Sequence, residues 1–235
     1  MRTIREDRSS ESVKIRDTAS EEREAAIVRI TLFGATGRTG RRVAEYALAD
    51  GHDVTAFVRD PARLAMSDAR LHLAVGDVLD PVPVAAAIEG SDAVISTLGG
   101  AGLADPGHTL SAGMRNVVAG MRVGGVARVL AVAGSGVLDA AEGGLRGEAP
   151  GFPAIFRPIN AEHMGTWRAL RESGLRWTLV CCPDLVDGER TGSFRREPDR
   201  LPAGGSRISV EDTAAFLVEQ VASSEFLERR VGIAY

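Results

Sequence analysis

The stretch ITLFGATGRTG, residues 30–40, sets Gly34, Gly37 and Gly40 three residues apart, directly behind an apolar β-rich run. Where a strand turns sharply into a helix, the first glycine of such a series permits the turn. The second lets backbone approach a pyrophosphate, and the third lets helix pack close on strand. The free amides of the helix's first turn then face the anion, and the helix dipole adds to the attraction. On this reading Gly34, Gly37 and Gly40 take those three roles, and Thr36, Arg38 and Thr39 of the same loop contact the ligand. The plain alternative is a glycine-rich turn that holds nothing.

The surrounding chain bears on that choice. Apolar β-rich runs recur at 27–34, 53–59, 70–76, 92–99, 127–134 and 176–182, with helical stretches at 38–50, 82–89, 108–124, 160–173 and 210–222. Alternation at this spacing predicts a doubly wound, Rossmann-like α/β fold, a mainly parallel sheet with helices on both faces. A chain of 235 residues, 44% hydrophobic and 26% charged, suits one continuous core. Residues 26–235 read as a single domain in which 183–235 forms the substrate rim. Residues 1–25 mix both charge signs without apolar periodicity and read as a flexible extension, or as an arm docked on a partner copy. The net charge of −4 repels nucleic acid and anionic lipid, so neither is an expected partner. No apolar run reaches the roughly 18 residues of a membrane span, and the first residues lack the apolar core of a signal peptide. Cys181 and Cys182, adjacent in an apolar run, read as buried reduced thiols, and no further cysteine completes a metal site. A cytoplasmic location and no metal are therefore expected.

In an NAD-binding protein an acidic residue about 20 positions beyond the glycines meets the adenosine ribose. Here the second strand ends AFVRD, with Arg59 at its tip, Arg63 four residues on and Arg38 in the glycine loop. Converging guanidinium groups suit a 2′-phosphate, so NADP(H) is the expected cofactor unless Asp60 turns inward instead. Strand-end position places Asp77 and Val78 of GDVLD beside the adenine, and Leu98, Gly99 and Gly100 of STLGG along the cofactor's middle. Each of these reads equally well as a turn.

Standard short-chain dehydrogenases donate a proton from a tyrosine whose pKa is lowered by a lysine four residues later. This chain has two tyrosines, Tyr46 and Tyr235, and its one lysine is Lys14. That pair is absent, which also counts against a nucleotide-sugar epimerase. Either the protein binds NADP(H) without turnover, or its acceptor takes hydride into a delocalised system that needs little acid catalysis.

Residues 27–235 resemble the atypical short-chain dehydrogenase/reductases, NmrA-like and nearest to the NADPH-dependent flavin reductase/biliverdin reductase B group. The likeness is carried by FGATGRTG, VTAFVRDPARL, VGDVLD, DAVISTLG, HMGTWRALRESGLRWTLV with CCPDL, and TGSF at 191–194. It implies an NADP-binding sheet whose nicotinamide faces an open pocket for flavins or linear tetrapyrroles; the expected activity is hydride transfer to a flavin, quinone or bilin, by a monomer or weak homodimer. A non-catalytic, NADP(H)-responsive regulator of NmrA type is the alternative. By the same resemblance the active-site serine falls on Ser135 and a histidine near the cofactor on His163, while Asp184 stands where the family has a pocket histidine. Ser135 also reads as a capping or turn serine, and Trp167, one turn after His163, as core packing or as a border of the ring site. A carboxylate at 184 disfavours anionic acceptors unless burial neutralises it or Arg190, Arg195 or Arg196 pairs with it. Those arginines read otherwise as a solvated hairpin face.

Overall fold

A computed structural model describes residues 27–235, so the expected extension over 1–25 lies outside the described residues. β1 (Arg29–Phe33) is buried from Ile30 onward, and the chain turns at Gly34 into α1 (Arg38–Ala49). α1 lays Val43, Ala44, Ala47 and Leu48 on the sheet, a stripe at helical spacing. β2 (Asp53–Val58) and β3 (Leu71–Val75) add outward in parallel from β1. Next comes α2 (Pro81–Ile88), which starts where Asp80 accepts the Val82 amide and Pro81 supplies a first-turn residue with no N–H to satisfy.

β4 (Ala93–Ser96) then returns to the other side of β1, and α3 (Thr109–Gly124), β5 (Arg128–Gly134), α4 (Arg157–Arg171) and β6 (Arg176–Cys182) continue in that direction. The last segments are β7 (Asp184–Val186), β8 (Arg195–Pro198), β9 (Arg207–Ser209), α5 (Val210–Glu219) and β10 (Arg229–Ala234). The main sheet has the order β3-β2-β1-β4-β5-β6-β10-β8, parallel except where β8 runs against β10. β7 and β9 form a small parallel pair outside it. α1 and α5 pack together on one face, and α2, α3 and α4 on the other. The strand order reverses between β1 and β4, so a crevice opens beyond their carboxyl ends.

The expected doubly wound parallel sheet is present, and the chain beyond residue 183 extends it. β10 inserts between β6 and β8 with Val231 and Ile233 fully buried, so this segment, expected to form rim, supplies core. β8, with the sequence RREP, carries no apolar alternation and is a strand because it pairs with β10 at the sheet edge. Arg128 ties the opposite end of the sheet together. Its guanidinium donates to Gln220 O at 2.7 Å, Thr178 Oγ1 at 2.9 Å and Arg176 O at 3.0 Å. Burial without a carboxylate partner pulls its pKa down to about 10, so it holds the carbonyl end of α5 as a cation.

Candidate functional site

The three glycines of the opening motif have different reasons to be glycine. Gly34 has φ +84°, and a Cβ there would stand 2.6 Å from Thr97 O. A Cβ on Gly40 would collide with the Gly34 carbonyl and approach Thr97 Oγ1 to 2.7 Å. Thr97 Oγ1 in turn donates to Phe33 O at 3.1 Å, fixing β1 to β4 at the switch point. Gly37 has an ordinary φ of −76° and meets only Gly34 O, at 3.3 Å. Neither backbone strain nor close packing of the protein on itself requires glycine there. Gly37 is also the N-cap of α1, with no side-chain cap and no acidic residue in the first turn, unlike α5, where Ser209 caps and Glu211 and Asp212 follow. These features fit a pyrophosphate bridge: a cradle that a side chain would fill, and first-turn amides left without a side-chain acceptor.

From this point a groove runs through three adjoining cavities of about 300, 330 and 400 Å³. The first is bordered by Gly34, Gly37, Arg59, Arg63, Asp77, Val78, Leu98, Gly99 and Gly100, with Thr36 beside them. Arg59 and Arg63 are both exposed at its mouth. Asp60 accepts the Ala62 amide at 3.0 Å and so caps its own turn rather than facing the groove. Arg38 departs from the expected convergence with Arg59 and Arg63. It stands at the start of α1 facing the chain after β7, where its Nη1 pairs with Asp187 at 2.8 Å and its Nη2 donates to Leu185 O at 3.3 Å. Arg41, which the sequence reading passed over, donates to Arg63 O at 2.8 Å and holds that turn in place. Val78 is 5% exposed, packed toward Gly113 and Leu98, with its carbonyl accepting from Asn116. Gly99 has open space around it, whereas Gly100 is needed for packing, its Cβ position lying 2.8 Å from Ile159 and 2.9 Å from Pro106.

The middle cavity is lined by Gly37, Arg38, Thr39, Leu98 and Gly99 on one side and by Gly134, His163, Cys182 and Pro183 on the other. The latter four also line the third cavity, so His163 stands at the junction. Its ring lies 3.3 Å from the Cβ position of Gly134. Burial drives its pKa down to about 4 against the opposing pull of Glu162, so the imidazole is neutral at physiological pH. Its Nδ1 is buried without a partner among the described residues. Glu162 is committed elsewhere, accepting from the amide and the hydroxyl of Ser111 in the first turn of α3, each at 3.0 Å. Burial likewise pushes the Cys182 thiol up to about 12, which leaves it protonated.

Ser135 opens a short 3-10 turn after β5, lines the third cavity and caps nothing, Gly134 being the residue at the cap position. Asp184 is exposed on the rim, its amide donating to Ser206 O at 3.2 Å. None of the arginines weighed as its partner reaches it. Arg190 lies 4.9 Å over the Tyr46 ring, Arg195 donates to Ala203 O and Tyr235 O, and Arg196 pairs with Glu219. Trp167 lies between Arg230, 4.4 Å from its ring centre, and Arg171, at 5.1 Å, packed on the core instead of bordering the groove. The two tyrosines are also placed elsewhere: Tyr46 donates to Glu211 and Tyr235 to Asp212, each at 2.6 Å.

Sequence reasoning missed Asn160, Arg146, Phe152 and Phe156, all of which line the third cavity. For Asn160 a signal existed in the glycines. A Cβ on Gly136 would collide with its Oδ1, and one on Gly147 with its Nδ2, so both glycines keep room for one amide. Among the described residues no group of three or more His, Cys, Asp or Glu could hold a metal, and no helix is long and apolar enough to cross a membrane.

Comparison with known proteins bears on the ligand class. The sequence model of a family described as NAD(P)H-binding matches residues 34–224. A solved Burkholderia pseudomallei structure, described as a candidate exported protein, is 33% identical with a TM-score of 0.78, the match covering 89% of this chain and 100% of that one. A candidate epimerase from Bacteroides thetaiotaomicron is 27% identical with a TM-score of 0.78, over 89% of this chain and 97% of its own. The anaerobilin reductase ChuY of Escherichia coli O157:H7 is 24% identical with a TM-score of 0.73, over 88% and 96%, a likeness of fold. The three descriptions diverge, so the chemistry has to be argued from the site.

Proposed function

The chain belongs to the NAD(P)H-binding family, and from that premise we propose that it is an NADPH-dependent reductase delivering hydride to a conjugated acceptor of flavin, quinone or bilin type. One observation carries the reading: the groove from Arg59 and Arg63 past the glycine loop continues, at His163, into an aromatic-walled cavity that, among the described residues, is lined by neither tyrosine nor lysine. A bound nicotinamide dinucleotide supplies the hydride.

The residues of this chain do the rest. Gly34, Thr36, Gly37, Thr39 and Gly40 shape the loop that receives the diphosphate, with Leu98, Gly99 and Gly100 along its far wall. Arg38 stands at the crossing to the β7 segment. Arg59 and Arg63 recognise the 2′-phosphate, and Asp77 and Val78 border the adenine. Ser135 offers a free hydroxyl to the acceptor or the carboxamide. Neutral His163 offers its Nε2 edge as a hydrogen-bond partner at the junction without adding charge. Asp184 stands at the solvent rim, and protons reach the reduced acceptor from water. An acceptor that delocalises the incoming electron pair needs no strong acid, which accounts for a reductase without the tyrosine–lysine pair. The buried thiols fit a reducing cytoplasm, and a monomer or weak homodimer suffices for a site built within one chain.

Two measurements test this. NADPH oxidation assayed with FMN, riboflavin, quinones and biliverdin should show turnover with at least one of them. Micromolar cofactor affinity without any turnover would favour the non-catalytic, cofactor-responsive regulator. Separately, Arg59→Ala should raise the Kd for NADPH about tenfold and that for NADH less than about twofold, because only NADPH loses a charge-assisted contact. Equal losses for the two coenzymes would defeat the 2′-phosphate assignment.

A further inference from the structure

The third cavity contains a cation that the reading above leaves unused. Arg146 begins the short 3-10 turn Arg146–Glu148 between β5 and α4, anchored by its amide donating to Leu138 O at 2.8 Å. Its half-buried side chain lines the cavity, and its Nε is sealed from solvent with no hydrogen-bond partner among the described residues. The other buried arginines are fully engaged. Arg230 reaches Asp139 at 2.8 Å, Asp199 at 3.1 Å and Val137 O at 2.6 Å, and Arg128 is held by three carbonyls and a hydroxyl. No ion pair or side-chain hydrogen bond engages the rest of this guanidinium among the described residues, so its terminal N–H groups are available to an anion in the cavity. Phe152 and Phe156, an edge-to-face pair with ring centres 6.5 Å apart, wall the same cavity. Asp184 at the rim is exposed, so solvent screens it.

The geometry points to Arg146 as the residue that selects the acceptor, by taking an anionic oxygen group, carboxylate or phosphate, carried on a flat conjugated ring seated against Phe152 and Phe156. This rests on reading the cavity as the acceptor site of a reductase.

The test measures binding as well as turnover. Protein saturated with NADP+ is titrated calorimetrically with two matched pairs: FMN and riboflavin for phosphate, anthraquinone-2-carboxylate and its carboxamide for carboxylate. The acid-bearing member of at least one pair should bind about tenfold more tightly, Arg146→Gln should abolish that preference, and Arg146→Lys should restore part of it. The Kd for NADP+ should stay unchanged in both variants. Equal affinities within both pairs on the native protein, or a preference intact in Arg146→Gln, overturn the proposal. Should the glutamine variant fail to fold, salt decides: between about 50 and 500 mM the native preference must shrink, and a salt-independent preference overturns the assignment. An Arg146-dependent preference without NADPH oxidation by any acceptor would sink the reductase reading and leave the anion site standing. Turnover without the preference would do the reverse.

Discussion

Gly37→Val is expected to weaken NADPH binding by about 100-fold or more, roughly 3 kcal/mol, while shifting Tm by no more than about 3 °C. The contrast follows from what each glycine of the loop touches. At Gly37 the backbone is extended, which valine tolerates, and a Cβ meets only the Gly34 carbonyl at 3.3 Å, a contact relieved by a shift of a few tenths of an ångström. The added methyl groups then occupy the approach to the first-turn amides of α1, where the diphosphate has to rest. Gly40→Ala sets the opposite pattern, because its Cβ is driven into the Gly34 carbonyl and helix and strand must part. It should lose stability whether or not coenzyme is present. Isothermal titration alongside thermal melts separates the two, and a Gly37→Val protein that binds NADPH normally would remove the cofactor cradle from its assigned place.

The second large effect concerns Asp212, whose carboxylate is fully buried and joins three distant parts of the chain. It accepts from the Thr191 amide at 2.9 Å, the Thr191 hydroxyl at 2.7 Å, the Gly192 amide at 2.8 Å and the Tyr235 hydroxyl at 2.6 Å. Its own amide completes the cap of α5 by donating to Ser209 Oγ at 3.0 Å. Asp212→Ala leaves these part-buried donors without their shared acceptor and should cost about 3 kcal/mol, lowering Tm by about 9 °C. Burial alone would raise the pKa of this carboxyl. The hydrogen bonds from Tyr235, Thr191 and Gly192 outweigh burial and hold it below the ordinary 3.8. A depressed folded-state value means the contribution is complete above the ordinary carboxylate range and fades as pH falls through it toward the folded value. The stability gap between native protein and Asp212→Asn, measured by urea unfolding, should therefore be full at neutral pH and narrow from about pH 4 downward. A gap of constant size across that range would show that the charged form is not what the site stabilises. Asp212 of α5 thus anchors both Tyr235 and part of the TGSF stretch, which the sequence reading could place only by resemblance.

The glycine series, the six central parallel strands and the crevice at their carboxyl ends were legible from the residues because their determinants are local. Glycine spacing, a strand-end arginine and the switch from strand to helix periodicity each act within a dozen positions. Arg59 and Arg63 could be placed beside the groove for the same reason, since a strand tip in a parallel sheet has one outlet. What the chain did not disclose in one dimension depends on neighbours far along it. RREP becomes a strand only because β10 lies beside it, and β10 is core only because β6 offers a free edge. Arg38 turns from its expected companions because Asp187, 149 residues away, presents a carboxylate. Arg146 and Asn160 become lining residues because the connection after β5 folds back over α4, bringing Gly136 and Gly147 against one amide. A short-range pattern can specify the backbone that receives a dinucleotide. The lining of the third cavity had to wait for the packed structure, because charge pairing and burial are settled by contacts between residues that the chain keeps far apart.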